Sequence, residues 1–158
     1  MLNNPSRICF GVIASILTIS LCVTTQAQKD HMSDNQFTEQ LTKTMERVRT
    51  GESVNVRTES AQDLAKLTRG IDPKKVGDKT LTDLVSLLDT SEDSVRLWVA
   101  ASLGNLGPRA KTAAAPTLLK LLPEVDCVRA SVTSAPAIRV ALKRMGVTPP
   151  PPGCETRK

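Results

Sequence analysis

The chain has 158 residues, about one domain's worth, with a formal net charge of +5 and an ordinary 40% of hydrophobic residues. Aromatic residues make up only 2%, with no Tyr, one Trp and two Phe, and there is a single His. This composition excludes an aromatic platform for sugars or stacked bases and leaves little material for zinc sites or His-based catalysis.

Residues 1–7 carry one positive charge, Arg7, and residues 8–23 (ICFGVIASILTISLCV) are apolar and uncharged. Thr25 and Ala27 follow as small residues. Basic, apolar and small-residue segments in this order make a secretory signal peptide, with cleavage expected after Ala27. About 16 apolar residues at 1.5 Å each span about 24 Å, short of the ~30 Å hydrocarbon core, which argues against a retained anchor. The mature chain is therefore expected in the periplasm or outside the cell, with no stable membrane anchor after cleavage. Cys9 and Cys22 leave with the signal, so Cys127 and Cys154 remain. An even count in an oxidising compartment reads as one disulfide.

The rest reads as all helix. Ser33 and Gln36 form a capping box, followed by Phe37, Leu41, Met45 and Val48 at helical spacing and a stop at Gly51. A second helix is expected over residues 56–69, with Ala61, Leu64, Ala65 and Leu67 inward. Residues 71–78 form a connector. A third helix covers 80–88, a turn 90–93, and a strongly apolar fourth helix 94–106, which Gly107 and Pro108 end. The next helix covers 113–122, with Pro116 confined to its first turn. The last covers 134–145 and ends at Gly146. No stretch alternates with period two for long enough to make a strand.

Shifted by 39 residues, the chain matches itself. Val56 and Arg57 fall on Val95 and Arg96, and Ala61 on Ala100. Leu64 falls on Leu103 and then Leu142, Leu67 on Leu106 and then Met145, and Gly107 on Gly146. The following helices match as well, Leu84, Leu87 and Leu88 against Leu118, Leu121 and Leu122, after a connector shorter by about five residues. A period near 40 built of helix pairs is the signature of an α-solenoid, because one pair cannot bury its apolar face alone. The expected fold is all-α: a short α-solenoid of about two and a half helix-pair repeats over residues 53–146. It follows an N-terminal helix and linker at 28–52 and precedes a Pro-rich tail at 147–158.

Residues 92–107 (EDSVRLWVAASLGNLG) resemble the first helix of a HEAT repeat, closest to the phycobilisome-lyase HEAT-like subtype, and residues 114–122 (AAPTLLKLL) resemble that subtype's second helix. The match is degenerate over 54–78, where Lys66 and Thr68 replace two glycines. The resemblance implies an armadillo-like superhelix used for contacts with other proteins. It implies no lyase activity. It also implies that Arg57, Asp93 and Arg96 belong to a charged ladder that ties adjacent repeats.

The tail has a geometry of its own. A last helix of about 11 residues rises about 16 Å, and the run Pro149–Pro152, extended at about 3.1 Å per residue, reaches back about 12 Å. Cys154 can then meet Cys127. A loop of this length closed by a disulfide is worth about 3.5 kcal/mol in the chain-entropy model.

Motifs for chemistry are nearly absent. There is no CxxC, no Gly-rich phosphate loop and no HExxH. His31 lies in a polar terminal stretch, and Glu92-Asp93 stands at a helix start, where it reads as a cap. No catalysis, cofactor, metal or nucleic-acid partner is expected. The expected function is an exported scaffold module that binds another protein. Its candidate contact residues are Thr82, Asp83 and Ser86 on one second-position helix and Thr117 and Lys120 on the next, with Trp98 as a candidate hot spot. Enzyme accessory and purely structural envelope roles are the alternatives.

Overall fold

The computed structural model describes residues 33–127 and 133–153. Six α-helices and two short 3-10 turns make up the described residues, without a strand. The expected signal peptide lies outside them.

Helix α1 (Asp34–Thr50) opens with the capping box read from the sequence. The Gln36 N–H donates to Ser33 Oγ at 3.3 Å, and the Ser33 N–H donates back to Gln36 Oε1 at 3.1 Å. Phe37, Leu41, Met45 and Val48 are all buried. Gly51 ends the helix, but not through a left-handed turn, since its φ is −55°. A Cβ there would lie 2.8 Å from the Arg47 carbonyl oxygen and 2.8 Å from Arg57 Cγ. Glycine is needed for the close approach of the next helix.

Helix α2 (Val54–Leu67) starts two residues earlier than expected, because Ser53 Oγ accepts the Val56 N–H at 3.3 Å and sets the N-cap. Its end also differs. Thr68 is buried, with its hydroxyl donating to the Leu64 carbonyl at 3.1 Å, while Leu67 is only half-buried. The aligned Leu106 and Met145 are buried, so the match at Leu67 holds in sequence and not in depth. Helix α3 (Asp78–Ser86) is likewise shifted forward, and Leu87 and Leu88 lie buried in a tightened turn beyond it.

Helix α4 (Asp93–Asn105) buries Val95, Val99, Ala100 and Leu103. Helix α5 (Lys111–Asp126) is longer than the 113–122 expected. Pro116 lies in its second turn and not its first, and Pro123 in its last turn. Neither proline can donate to the carbonyl four residues back. The helix continues because Leu118, Leu122 and Val125 are all on its buried face, and each is worth about 1.5–3 kcal/mol when fully buried. Helix α6 (Ala135–Arg144) buries Ile138, Ala141 and Leu142.

The helices form two rows, fixed by which ends meet. Asn105, ending α4, hydrogen-bonds to Ala65 and Thr68 at the end of α2, and Arg144, ending α6, hydrogen-bonds to Asn105. The helices α2, α4 and α6 therefore run parallel. Arg49, ending α1, reaches Ser86 at the end of α3, and Asp34, starting α1, pairs with Lys75 just before α3. So α1 runs parallel to α3, which packs against α5. The N-terminal helix is thus a member of the second row, and the chain reads as three antiparallel pairs: α1 with α2, α3 with α4, and α5 with α6. One hydrophobic core runs between the rows, from Phe37 in α1 to Met145 after α6.

Candidate functional site

The α2–α4–α6 row is bound at both ends by polar contacts spaced at about one repeat. At the N-terminal ends, Arg57 Nε donates to Glu92 Oε2 at 2.9 Å, its Nη2 pairs with Glu92 Oε1, and its Nη1 donates to the Gly51 carbonyl at 2.6 Å. Arg96, one period on, donates to the Thr90 carbonyl. Gly51 and Thr90 each lie six residues before their arginine, so the two arginines hold equivalent places. Asp93 accepts both the Ser134 N–H at 2.7 Å and the Ser134 hydroxyl at 2.5 Å, and stands 3.7 Å from Arg96. Thr58 and Ser94 hydroxyls meet at 2.9 Å. Arg57, Asp93 and Arg96 thus stand together at one end of the row.

Glu92 departs from the cap its position implies. It sits at the N-cap of α4 without capping it by its side chain; the carboxylate turns to Arg57 in the previous repeat. Asp93 likewise serves the next repeat, at Ser134. The sequence signal for this was the 39-residue shift itself, which sets a carboxylate near the arginine of a neighbouring pair. The Arg57 hydrogen bonds hold the Glu92 carboxyl below its ordinary value, against desolvation, and Glu92 raises the Arg57 guanidinium in turn.

Between the two ends the row packs through small residues. A Cβ on Gly104 would lie 2.9 Å from Ala141 Cα, so α4 and α6 meet almost backbone to backbone. On the outer side of this seam the helices leave a groove of about 670 Å³. It is lined by Leu97, Trp98, Ala101, Ala137 and Val140, beside the buried Gly104 and Ala141. Arg69 and Arg144 stand at the end where α2, α4 and α6 finish. Trp98 is half-buried, and Val140 is 47% exposed.

The other contact candidates lie elsewhere. Thr82 and Ser86 are exposed on α3, and Lys120 is exposed and Thr117 half-buried on α5. Asp83 and Ser86 are already engaged: Arg49 Nη2 donates to the Asp83 carbonyl at 3.1 Å and to Ser86 Oγ at 3.0 Å. The Asp83 carboxylate accepts Lys79 Nζ at 2.8 Å, which lowers its pKa. The structure therefore separates Trp98 from this set, since it belongs to the other row.

The proline tail does turn back. Arg139 on α6 pairs with Asp126 at the end of α5 and donates to the Pro150 carbonyl. Three residues later, the Gly153 carbonyl oxygen accepts from the Cys127 thiol at 3.5 Å, and Cys127 stands as a free, exposed cysteine among the described residues. Cys154 itself lies outside the described residues.

No helix among the described residues is long and apolar enough to cross a membrane, and no group of three His, Cys, Asp or Glu there could hold a metal ion. No protein family, curated protein or solved structure matches this chain.

Proposed function

We propose that the chain is a short α-solenoid of the HEAT-like, armadillo-like kind that acts as a scaffold for binding another protein and carries out no catalysis of its own. The observation that supports this reading best is the equivalence of Arg57 and Arg96: each binds the carbonyl six residues upstream, at the head of successive parallel helices. Helix pairs that repeat one set of contacts build an extended surface, which such proteins use for recognition. Affinity capture with the mature protein from envelope extract, followed by quantitative mass spectrometry, tests it. One reproducible, stoichiometric partner is expected. A clean monomer that recovers none overturns the reading in favour of a purely structural role.

The chain is also proposed to be exported, with its mature N-terminus at Gln28 and a Cys127–Cys154 bond holding the tail. The turn of the tail towards Cys127 supports that pairing. Intact-mass analysis of the envelope fraction should find the chain starting at Gln28 with no titratable thiol. A retained Met1, or two free thiols in the unreduced protein, removes export or the bond respectively.

A further inference from the structure

The groove over the α4–α6 seam is asymmetric in charge, and this bears on what it holds. One end is apolar, lined by Leu97, Trp98, Ala101, Ala137 and Val140. The other end carries Arg69 and Arg144, both exposed. Among the described residues neither guanidinium meets a carboxylate. Arg144 has only the neutral Asn105 Oδ1, at 3.0 Å, and no acidic side chain lines the groove. The stretch of α4 that borders it, from Leu97 to Asn105, covers about 12 Å, or two helical turns. The small alanines of the lining leave room for a bulky side chain, and the guanidinium fork suits a planar carboxylate.

We propose that this groove binds a short amphipathic helical segment of a partner protein, with aliphatic side chains over Ala101 and Ala137 beside Trp98 and a carboxylate between Arg69 and Arg144. It rests on the reading of the chain as a protein-binding module and names the class of segment recognised. The mode is a helix laid in an apolar groove, with charge fixing its direction. The arginines favour this occupant over a membrane surface, because they cluster at one end and do not ring the apolar patch.

Trp98 is the chain's one tryptophan and stands in the groove wall, so its emission reports occupancy directly. The probe is an acetylated, amidated helical peptide with leucines one turn apart and two glutamates a turn further along, titrated into the full mature chain. A saturable blue shift is expected, with the glutamine version of the peptide about tenfold weaker. Arg69→Ala should remove most of that difference; its side chain makes no hydrogen bond or ion pair among the described residues, so the fold is not at risk. Arg144→Ala should do the same, with circular dichroism checking the helices. No shift at millimolar peptide, equal binding of the glutamine peptide, or a shift produced by phosphatidylglycerol vesicles or by self-association in place of peptide would each overturn the proposal. The two readings fail separately. A partner that Trp98→Ala captures as well as the unaltered chain does sinks the groove alone, whereas absence of any stoichiometric partner sinks the module.

Discussion

The two helix rows are held together by different physics. The α2–α4–α6 row meets through small residues, with Gly104 against Ala141, and is clamped at both ends by polar side chains from neighbouring repeats. The α1–α3–α5 row relies on large apolar faces turned to the core, with single arginines crossing it: the exposed Arg49 to Ser86, and the half-buried Arg109 to Asp78 at 2.6 Å. Close backbone approach needs exact register, and polar contacts at both helix ends supply it. A row of leucine faces tolerates adjustment. The consequence is that one row should be sensitive to single polar or one-carbon changes and the other chiefly to loss of bulk.

The largest effect should come where both rows depend on one side chain. Leu103 is fully buried in the shared core. Leu103→Ala should cost about 2–5 kcal/mol, enough to unfold a large fraction of a small domain. Denaturant titration measures it, and an unchanged midpoint would mean that the two rows do not share this core.

Gly104→Ala sharpens the comparison, because the ordinary expectation has the opposite sign. In an open helix this change gains about 0.5–1 kcal/mol. Here the new Cβ would stand 2.9 Å from Ala141 Cα, a backbone atom that cannot turn aside. The helices must separate, at about 1–3 kcal/mol as for other overpacked sites. A stabilised variant would show that the seam has slack.

Much of this was legible in the sequence, and what was not has particular causes. The capping box, the apolar stripe of α1 and the burial of Leu64, Leu103 and Leu142 follow from helical spacing alone, which fixes faces reliably. Helix ends differ from the helical spacing where a side chain captures a backbone N–H, as at Ser53, or where core burial carries a helix past a proline, as at Pro116 and Pro123. The place of α1 in the second row was hidden because its contacts to α3 come from Arg49 and Lys75, which single-chain periodicity does not register. The groove was hidden for a related reason. Its lining includes Ala101 and Ala137, and alanine on a helix reads the same whether covered or open.

The ladder can be tested against its counterpart across the molecule. Asp93→Ala leaves Ser134, which is buried, without its carboxylate and should cost about 1–3 kcal/mol. Arg49→Ala removes an exposed contact of the second row and should cost about 0–1 kcal/mol. Thermal melts of the two variants give the order directly, and equal losses would erase the distinction between the rows.

The smallest effect should appear in acid, where each row has one carboxylate held below its ordinary range: Glu92 by Arg57 and Asp83 by Lys79. A carboxyl whose pKa is depressed by folding adds stability that is complete above its unfolded value, near 4.5 for Glu92, and is lost as pH falls through its lower folded value. Both pairs therefore make the fold weaken on acidification, from near pH 4.5 downward for Glu92 and from near pH 3.8 downward for Asp83. Their weights differ. The Glu92 side chain is 16% exposed and that of Asp83 34%, and the lysine facing Asp83 is almost wholly in water. Glu92→Gln should therefore flatten the acid limb of a stability–pH curve more than Asp83→Asn. Salt should blunt the Asp83 contribution and leave most of that from Glu92, since partly buried pairs are screened less. Equal flattening by the two variants, with equal salt dependence, would mean that the ladder contact is as solvated as the surface one and does no more than it to hold the repeats in register.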